Sequence, residues 1–225
     1  LWTAGYLFLV LLVFACALLL PRSGPAAHRA PLTSPAPTRA RLWWWIALAF
    51  VPSGLMIETS SYLTTDIVAV PLLWVLPLGL YLLSFTVAFA ARRGLANFLT
   101  RYAPVAVLVF GTMVIAGHHG NAAANAAVAL LLLFVVSVAL HSCMYENRPA
   151  PERLTGFYLA MSVGGALGGV FAGLVAPVLF DWTYEFPLLI LAAGVLVPQH
   201  FLLPITAQLW GEGRARRRII AAAML

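Results

Sequence analysis

The chain has 225 residues, of which 63% are hydrophobic and 9% are charged, and its mean hydropathy is +0.96. Soluble domains carry charge on about a quarter of their residues, so this composition excludes a soluble enzyme, a disordered chain and a disulfide scaffold, and it indicates a polytopic membrane protein. All 13 basic residues are arginines, and the formal net charge is +6. In a membrane protein the positive-inside rule explains such an excess, so we expect no nucleic-acid partner.

Seven apolar runs are candidates for membrane spans, because a hydrocarbon core about 30 Å thick needs roughly 20 apolar residues in a helix. The runs lie at residues 2–20, 42–60, 67–91, 103–118, 122–143, 156–180 and 185–203, and a truncated eighth starts at 219. We therefore predict an all-α, polytopic integral membrane fold with about seven transmembrane helices. Since the chain starts without methionine and stops inside an apolar run, we expect it to be an interior piece of a longer protein.

The arginines follow only the first, third, fifth and seventh runs. They are Arg22, Arg29, Arg39 and Arg41, then Arg92, Arg93 and Arg101, then Arg148 and Arg153, and finally Arg214, Arg216, Arg217 and Arg218. The positive-inside rule then places these connections in the cytoplasm and Leu1 outside, in a bacterial-type inner membrane. Arginines at such positions also bind anionic lipid head groups, which is an alternative explanation for part of the cluster.

The composition divides the chain into four segments. Residues 1–20 form a first transmembrane helix, and residues 21–41, with five prolines, form a Pro/Arg-rich cytoplasmic linker. Residues 42–204 form the core transmembrane helical domain. Residues 205–225 form a basic cytoplasmic segment and the start of a further helix.

The segment at residues 58–66 is the most polar part of the apolar runs. It contains two carboxylates and six hydroxyl-bearing residues between prolines that can interrupt helices. Carboxylates in a partly dry cavity attract ammonium groups, so Glu58, Tyr62, Thr65 and Asp66 are candidate cation-binding residues. The alternative is an outer turn whose hydroxyls cap two helix ends.

The sixth run is rich in glycine, at positions with helical spacing. Gly165, Gly169 and Gly173 form one stripe, and Gly164 and Gly168 form another beside it. Such spacing lets a second helix backbone approach closely, which predicts helix packing against other membrane helices or subunits. A phosphate-binding loop requires different spacing after a strand, so we predict no nucleotide site.

Histidines offer the other candidate ligands. His118 and His119 end the fourth run and His141 ends the fifth, so each could serve as an axial ligand to a tetrapyrrole. The alternative is that each is a polar residue at the end of a span. The sequence has no metal-binding cluster and no nucleophile triad, so we expect no metal, no cofactor and no catalytic residue in this chain.

Several long strings resemble one family. Residues 50–56 (FVPSGLM), 62–85 (YLTTDIVAVPLLWVLPLGLYLLSF) and 147–169 (NRPAPERLTGFYLAMSVGGALGG), with 176–180 (APVLF) and 185–188 (EFPL), are similar to the membrane region of the fused major-facilitator/spermidine-synthase-like proteins. The resemblance covers about residues 42–190.

The resemblance implies a multi-helix membrane region joined to a cytoplasmic synthase-like domain that transfers an aminopropyl group to a diamine. No segment of this chain supplies that domain, so we expect no enzymatic activity from this chain alone. We expect it to anchor or serve a synthase domain and to handle polyamine-like cations. The alternative is a non-catalytic accessory subunit of a respiratory or photosynthetic membrane complex, since few charges lie deep in the runs.

Overall fold

The computed structural model describes residues 2–19, 36–67, 74–116 and 121–199. The chain divides into two units, Leu1–Pro35 and Ala36–Leu225. The described part of the first unit is helix α1, Trp2–Leu19. The described ranges contain helices and no strand, which confirms the all-α fold. Most of the proposed linker and all of residues 205–225 lie outside the described residues.

The second unit contains seven α-helices in its described ranges. They are α2 (Arg39–Tyr62), α3 (Val75–Ala88), α4 (Gly94–Ile115), α5 (Ala122–Glu146), α6 (Leu154–Val170), α7 (Ala176–Leu179) and α8 (Glu185–Leu196). Short π-helical segments follow α2 at Leu63–Ile67 and join α6 to α7 at Phe171–Val175, and a 3₁₀ turn at Pro151–Arg153 leads into α6. Each predicted core run from 42 onwards therefore contains a helix.

Polar side chains cap the two helices that lie at the centre of the unit. The Thr38 hydroxyl accepts a hydrogen bond from the Arg41 backbone N–H at 3.3 Å, and the Asn121 side chain accepts one from Ala123 at 2.9 Å. A cap of this kind satisfies an N–H group that has no partner within the helix. The caps explain why α2 and α5 begin at polar residues just before their apolar runs.

Among the residues that the structure describes, four helical segments are long and apolar enough to cross a membrane. They are Arg39–Thr65, Gly94–Ile115, Ala122–Glu146 and Pro151–Leu179, while Val75–Ala88 and Glu185–Leu196 are apolar but shorter. The fourth helix starts well before the predicted residue 103, because a helix can continue past the hydrocarbon into a polar stretch. The membrane character is thus supported, and the count of seven spans stays a prediction.

Helices α2 and α5 form the centre of the unit. Helix α2 packs against α3, α5, α6 and α8, and α5 also packs against α3 and α4. Between Leu132 and Met144 the side chains of α5 are almost all buried. By contrast, α6 and α7 expose large apolar side chains on the face away from α2, including Leu159, Leu174 and Val178. Exposed apolar surface of this extent is expected where lipid is the solvent.

Charge is separated between the two ends of this unit. The described arginines lie at the start of α2 and α4 and in the α3–α4 and α5–α6 connections, and we call this the basic end. The opposite end, which we call the acidic end, contains Glu58, Asp181 and Glu185. Large aromatic side chains are exposed at both ends, with Trp43, Phe98, Tyr102 and Tyr158 at the basic end and Trp74, Trp182 and Tyr184 at the acidic end. Such aromatic belts are typical of the two interfaces of a membrane.

Candidate functional site

Two buried carboxylates from distant parts of the sequence lie near each other at the acidic end. Glu58, in the last third of α2, is 6% exposed, and Glu185, the first residue of α8, is 8% exposed. Helices α2 and α8 pack together, and the charge of Glu185 repels that of Glu58. In the described part of the chain neither carboxylate has a hydrogen-bond donor or a basic residue within bonding distance.

A largely buried carboxylate without a counter-ion is costly, and a second carboxylate near it raises that cost. Removing an ionised group from water requires compensation by an opposite charge or by hydrogen bonds. The N-terminus of α8 supplies part of this for Glu185, because the partial positive charge of a helix N-terminus stabilises an acid in the first turn. Glu58 lies inside α2 and has no such support. The arrangement is therefore suited to binding a positive charge between the two helices.

Aromatic rings lie beside this acid pair, which consists of Glu58 and Glu185. Tyr62 is one helical turn after Glu58 on the same face of α2, and its ring centroid is 5.8 Å from that of Phe186. Tyr62 also lines a small cavity of about 10 Å³ together with Met113, Val114, Asn125 and Val128. A volume of about 10–15 Å³ is what one water molecule needs. The cavity therefore has room for about one water molecule, and neither Glu58 nor Glu185 lines it.

The hydroxyl residues beyond Glu58 bond to their own helix. Ser60 donates to the Met56 carbonyl at 2.8 Å, Thr64 to the Ser60 carbonyl at 2.9 Å, and Thr65 to the Ser61 carbonyl at 2.7 Å. The segment is therefore helical as far as Ile67, and not a turn. Because these hydroxyl protons are used by the backbone, Thr65 contributes at most an oxygen lone pair to a cation. Its side chain is exposed.

The structure places Glu185 near Glu58 and leaves the predicted role of Asp66 a prediction. Asp66 belongs to the π-helical segment Leu63–Ile67, and its side chain lies outside the described residues. The described partner of Glu58 is Glu185, which sequence reasoning assigned to a connection. The signal for Glu185 was the isolated acid directly before the apolar string of α8, at the same predicted end as Glu58.

The two glycine stripes of α6 lie in different environments. Gly164 and Gly168 face α2, where an added Cβ would overlap the carbonyl oxygens of Ile46 and Phe50. Gly165 and Gly173 have no atom near an added Cβ, while the nearest atom to Gly169 is the Ser53 hydroxyl oxygen at 4.0 Å. Ser53 also donates to the Gly165 carbonyl at 2.8 Å, which joins the same two helices.

His141 lies in a packed polar cluster near the basic end. Its Nδ1 is 2.8 Å from the Ser84 hydroxyl, and its ring stacks on Phe85 with centroids 3.6 Å apart. The residue is fully buried, and its Nε2 has no partner among the described residues. Coordination of a tetrapyrrole would require neighbouring side chains to move. His118 and His119 lie outside the described residues.

Comparison with protein-family models, with curated proteins and with solved structures gave no match to this chain.

Proposed function

We propose that this chain is a membrane domain that binds a cationic ligand at the acidic end, with Glu58 and Glu185 as the charged ligands. The observation that carries the proposal is the pair of buried, mutually repelling carboxylates without a counter-ion in the described part of the chain. An intramembrane acid is costly, and such groups usually mark an ion or substrate site. A bound cation would relieve the repulsion between the two acids.

The chemistry of the surroundings favours an ammonium group, as in a polyamine. An ammonium group can donate hydrogen bonds to both carboxylates, and these charge-assisted bonds are stronger than neutral ones. The ring of Tyr62 adds a cation–π surface on the same face of α2. The rest of a polyamine would extend towards the water outside the acidic end.

The proposed topology has seven spans, with the basic end in the cytoplasm of a bacterial-type inner membrane. Seven arginines among the described residues lie at the basic end, which supports this orientation under the positive-inside rule. In this topology α1, α3 and α8 also cross the membrane, which adds three spans to the four long ones. The shorter apolar helices α3 and α8 are compatible with snorkelling side chains or a locally thinner bilayer.

The resemblance to spermidine-synthase-like fusion proteins suggests a partner for this domain. In that proposal the chain anchors or serves a synthase domain on the cytoplasmic side and handles the amines that such a domain uses. The acid pair supports the amine part of the proposal, since it is selective for positive charge. The family relationship itself rests on the sequence strings given above.

A second candidate is an accessory subunit of a larger membrane complex. The observation that favours it is the open surface of α6 at Gly165 and Gly173, where a further helix could approach closely. In that case the native protein would be purified with stoichiometric partner subunits, and a synthase domain would not be part of the same polypeptide.

The cation proposal is tested by titrating the detergent-purified protein with spermidine in a calorimeter. Removing one charged hydrogen bond costs about 1.5–3 kcal/mol, so Glu58→Gln or Glu185→Gln should weaken binding roughly 10–150-fold. Asp181→Asn is the matched control, because Asp181 is an exposed acid at the same end, and it should bind like wild type. Absence of binding by wild type, or equal binding by all variants, would contradict the proposal.

A further inference from the structure

Three arginines from separate parts of the sequence lie at the C-terminal end of α5. Arg41 donates through Nη2 to the Asn147 carbonyl at 3.1 Å, and the Trp45 indole donates to the same oxygen at 3.2 Å. The guanidinium carbons of Arg93 and Arg148 lie 4.3 and 4.0 Å from the ring centroid of Tyr145. The junction of α2, α3 and α5 at the basic end is therefore a fixed cluster of positive charge.

Only part of this charge is neutralised within the cluster. Arg93 is paired with Glu146 at 3.3 Å and also donates to the Ala88 carbonyl. Arg41 and Arg148 are both exposed, and neither has a carboxylate within ion-pair distance among the described residues. A guanidinium group has five N–H donors. Arg41 uses one of its Nη2 donors for the Asn147 carbonyl, and Arg148 places the face of its guanidinium group on the Tyr145 ring. Both arginines retain donors for an anion.

We propose that Arg41 and Arg148 bind the phosphate of an anionic lipid head group in the leaflet at the basic end. Both arginines are held at the same end of α5, Arg41 through its hydrogen bond to the Asn147 carbonyl and Arg148 through the face of the Tyr145 ring. Arginine binds phosphate through several N–H donors at once. Trp43, which is 57% exposed, lies on the first turns of α2 at the same level, and the apolar helix surfaces continue beneath it for the acyl chains.

The choice of a lipid over another anion rests on the position of the cluster. The arginines lie where apolar exposed helix surface gives way to polar residues, next to an exposed tryptophan, and this is the level of lipid head groups. A soluble phosphate compound would use the charge but not the apolar surface. An acidic protein surface would use the charge without requiring acyl chains.

The test compares dioleoylphosphatidylglycerol with dioleoylphosphatidylcholine, added to the detergent-purified protein and counted by native mass spectrometry. Wild type should retain phosphatidylglycerol in preference to phosphatidylcholine. Removing one charged hydrogen bond costs about 1.5–3 kcal/mol, so Arg148→Gln should weaken retention roughly 10–150-fold, and the double variant with Arg41→Gln should weaken it further. Arg101→Gln, which removes an exposed arginine of α4, should retain the lipid like wild type.

Arg148→Gln is the decisive variant, because the Arg148 side chain makes no hydrogen bond to the residues that the structure describes, whereas Arg41 helps to join α2 to α5. Arg41→Lys keeps the charge and should retain more lipid than Arg41→Gln. Equal retention of the two lipids by wild type, or unchanged retention in Arg148→Gln, would overturn the proposal. Displacement of the lipid by glycerol phosphate or polyaspartate at equal charge would also overturn it, in favour of a soluble anion or an acidic protein.

Discussion

Replacing Gly168 by alanine tests the close approach of α6 to α2. An added Cβ would lie 3.0 Å from the carbonyl carbon of Phe50 and 3.1 Å from the backbone nitrogen of Gly54, and it would overlap the Phe50 oxygen. Carbon atoms in contact prefer about 3.5–4.0 Å, so the helices must separate by about 0.5 Å or more. Both groups are backbone, so no side-chain rotation can relieve the overlap.

The expected loss of stability follows from this separation. Overpacking a fitted core costs about 1–3 kcal/mol, and the hydrogen bond of Ser53 to the Gly165 carbonyl, now 2.8 Å, would lengthen as the helices separate. Alanine raises helix propensity by about 1 kcal/mol in water at either position. The free energy of unfolding of Gly168→Ala should therefore be about 1–3 kcal/mol lower than that of Gly165→Ala. Gly165→Ala is the matched control because its added Cβ contacts no atom.

The assay is equilibrium unfolding in mixed micelles, followed by circular dichroism or tryptophan fluorescence. For a domain of about 200 residues, 1 kcal/mol corresponds to roughly 2–4 °C in Tm. Gly168→Ala should therefore melt several degrees below Gly165→Ala. Equal stability of the two variants would refute the assignment of the Gly164 and Gly168 stripe to the α2 contact.

The same unfolding assay tests two hydrogen bonds. Ser84→Ala leaves the buried Nδ1 of His141 without its partner at 2.8 Å and should lower the free energy of unfolding by about 1–3 kcal/mol. The control Ser162→Ala, on the exposed face of α6, should change stability by less than about 0.5 kcal/mol. Equal effects of the two variants would contradict the buried hydrogen bond. Trp45→Phe removes the indole donor to the Asn147 carbonyl at 3.2 Å and part of a fully buried ring, so it should cost at least about 1 kcal/mol. An unchanged midpoint would show that neither this bond nor the packing of the indole stabilises the junction.

The helical fold follows from composition and periodicity, because long apolar runs with few charges have no stable alternative in lipid. The predicted runs from 42 onwards coincide with α2 to α8, although their limits differ. Helix α4 begins at Gly94 and contains Pro104, since a helix tolerates a proline when neighbouring groups satisfy the backbone. Sequence hydropathy locates the apolar part of a helix and not its polar extension.

The glycine stripes show where sequence reasoning stops. Spacing of four residues identifies both stripes of α6, but the spacing does not say which stripe faces another helix of the same chain. In the structure Gly164 and Gly168 face α2, while Gly165 and Gly173 face outward. That choice depends on the rotation of α6 about its axis, which tertiary packing fixes.

The acid pair could be predicted only in part. Glu58 is conspicuous in the sequence because it interrupts an apolar run. The sequence suggests Asp66 as the second acid of a cation site, because the two residues are close along the chain. Its described neighbour Glu185 belongs to α8, and the two helices meet only after the chain has crossed between the ends several times. A contact between residues so far apart in sequence requires the tertiary arrangement of α2 and α8.

The most direct test of the cation site is the unfolding midpoint with and without spermidine. The account predicts that Glu58→Gln is more stable than wild type without spermidine, because it removes one of two repelling buried charges. Wild type should gain about 2.7 kcal/mol at a spermidine concentration of 100 Kd, and Glu58→Gln should gain little at that concentration. A Glu58→Gln protein that is less stable than wild type without spermidine, or that is stabilised equally by spermidine, would contradict the account.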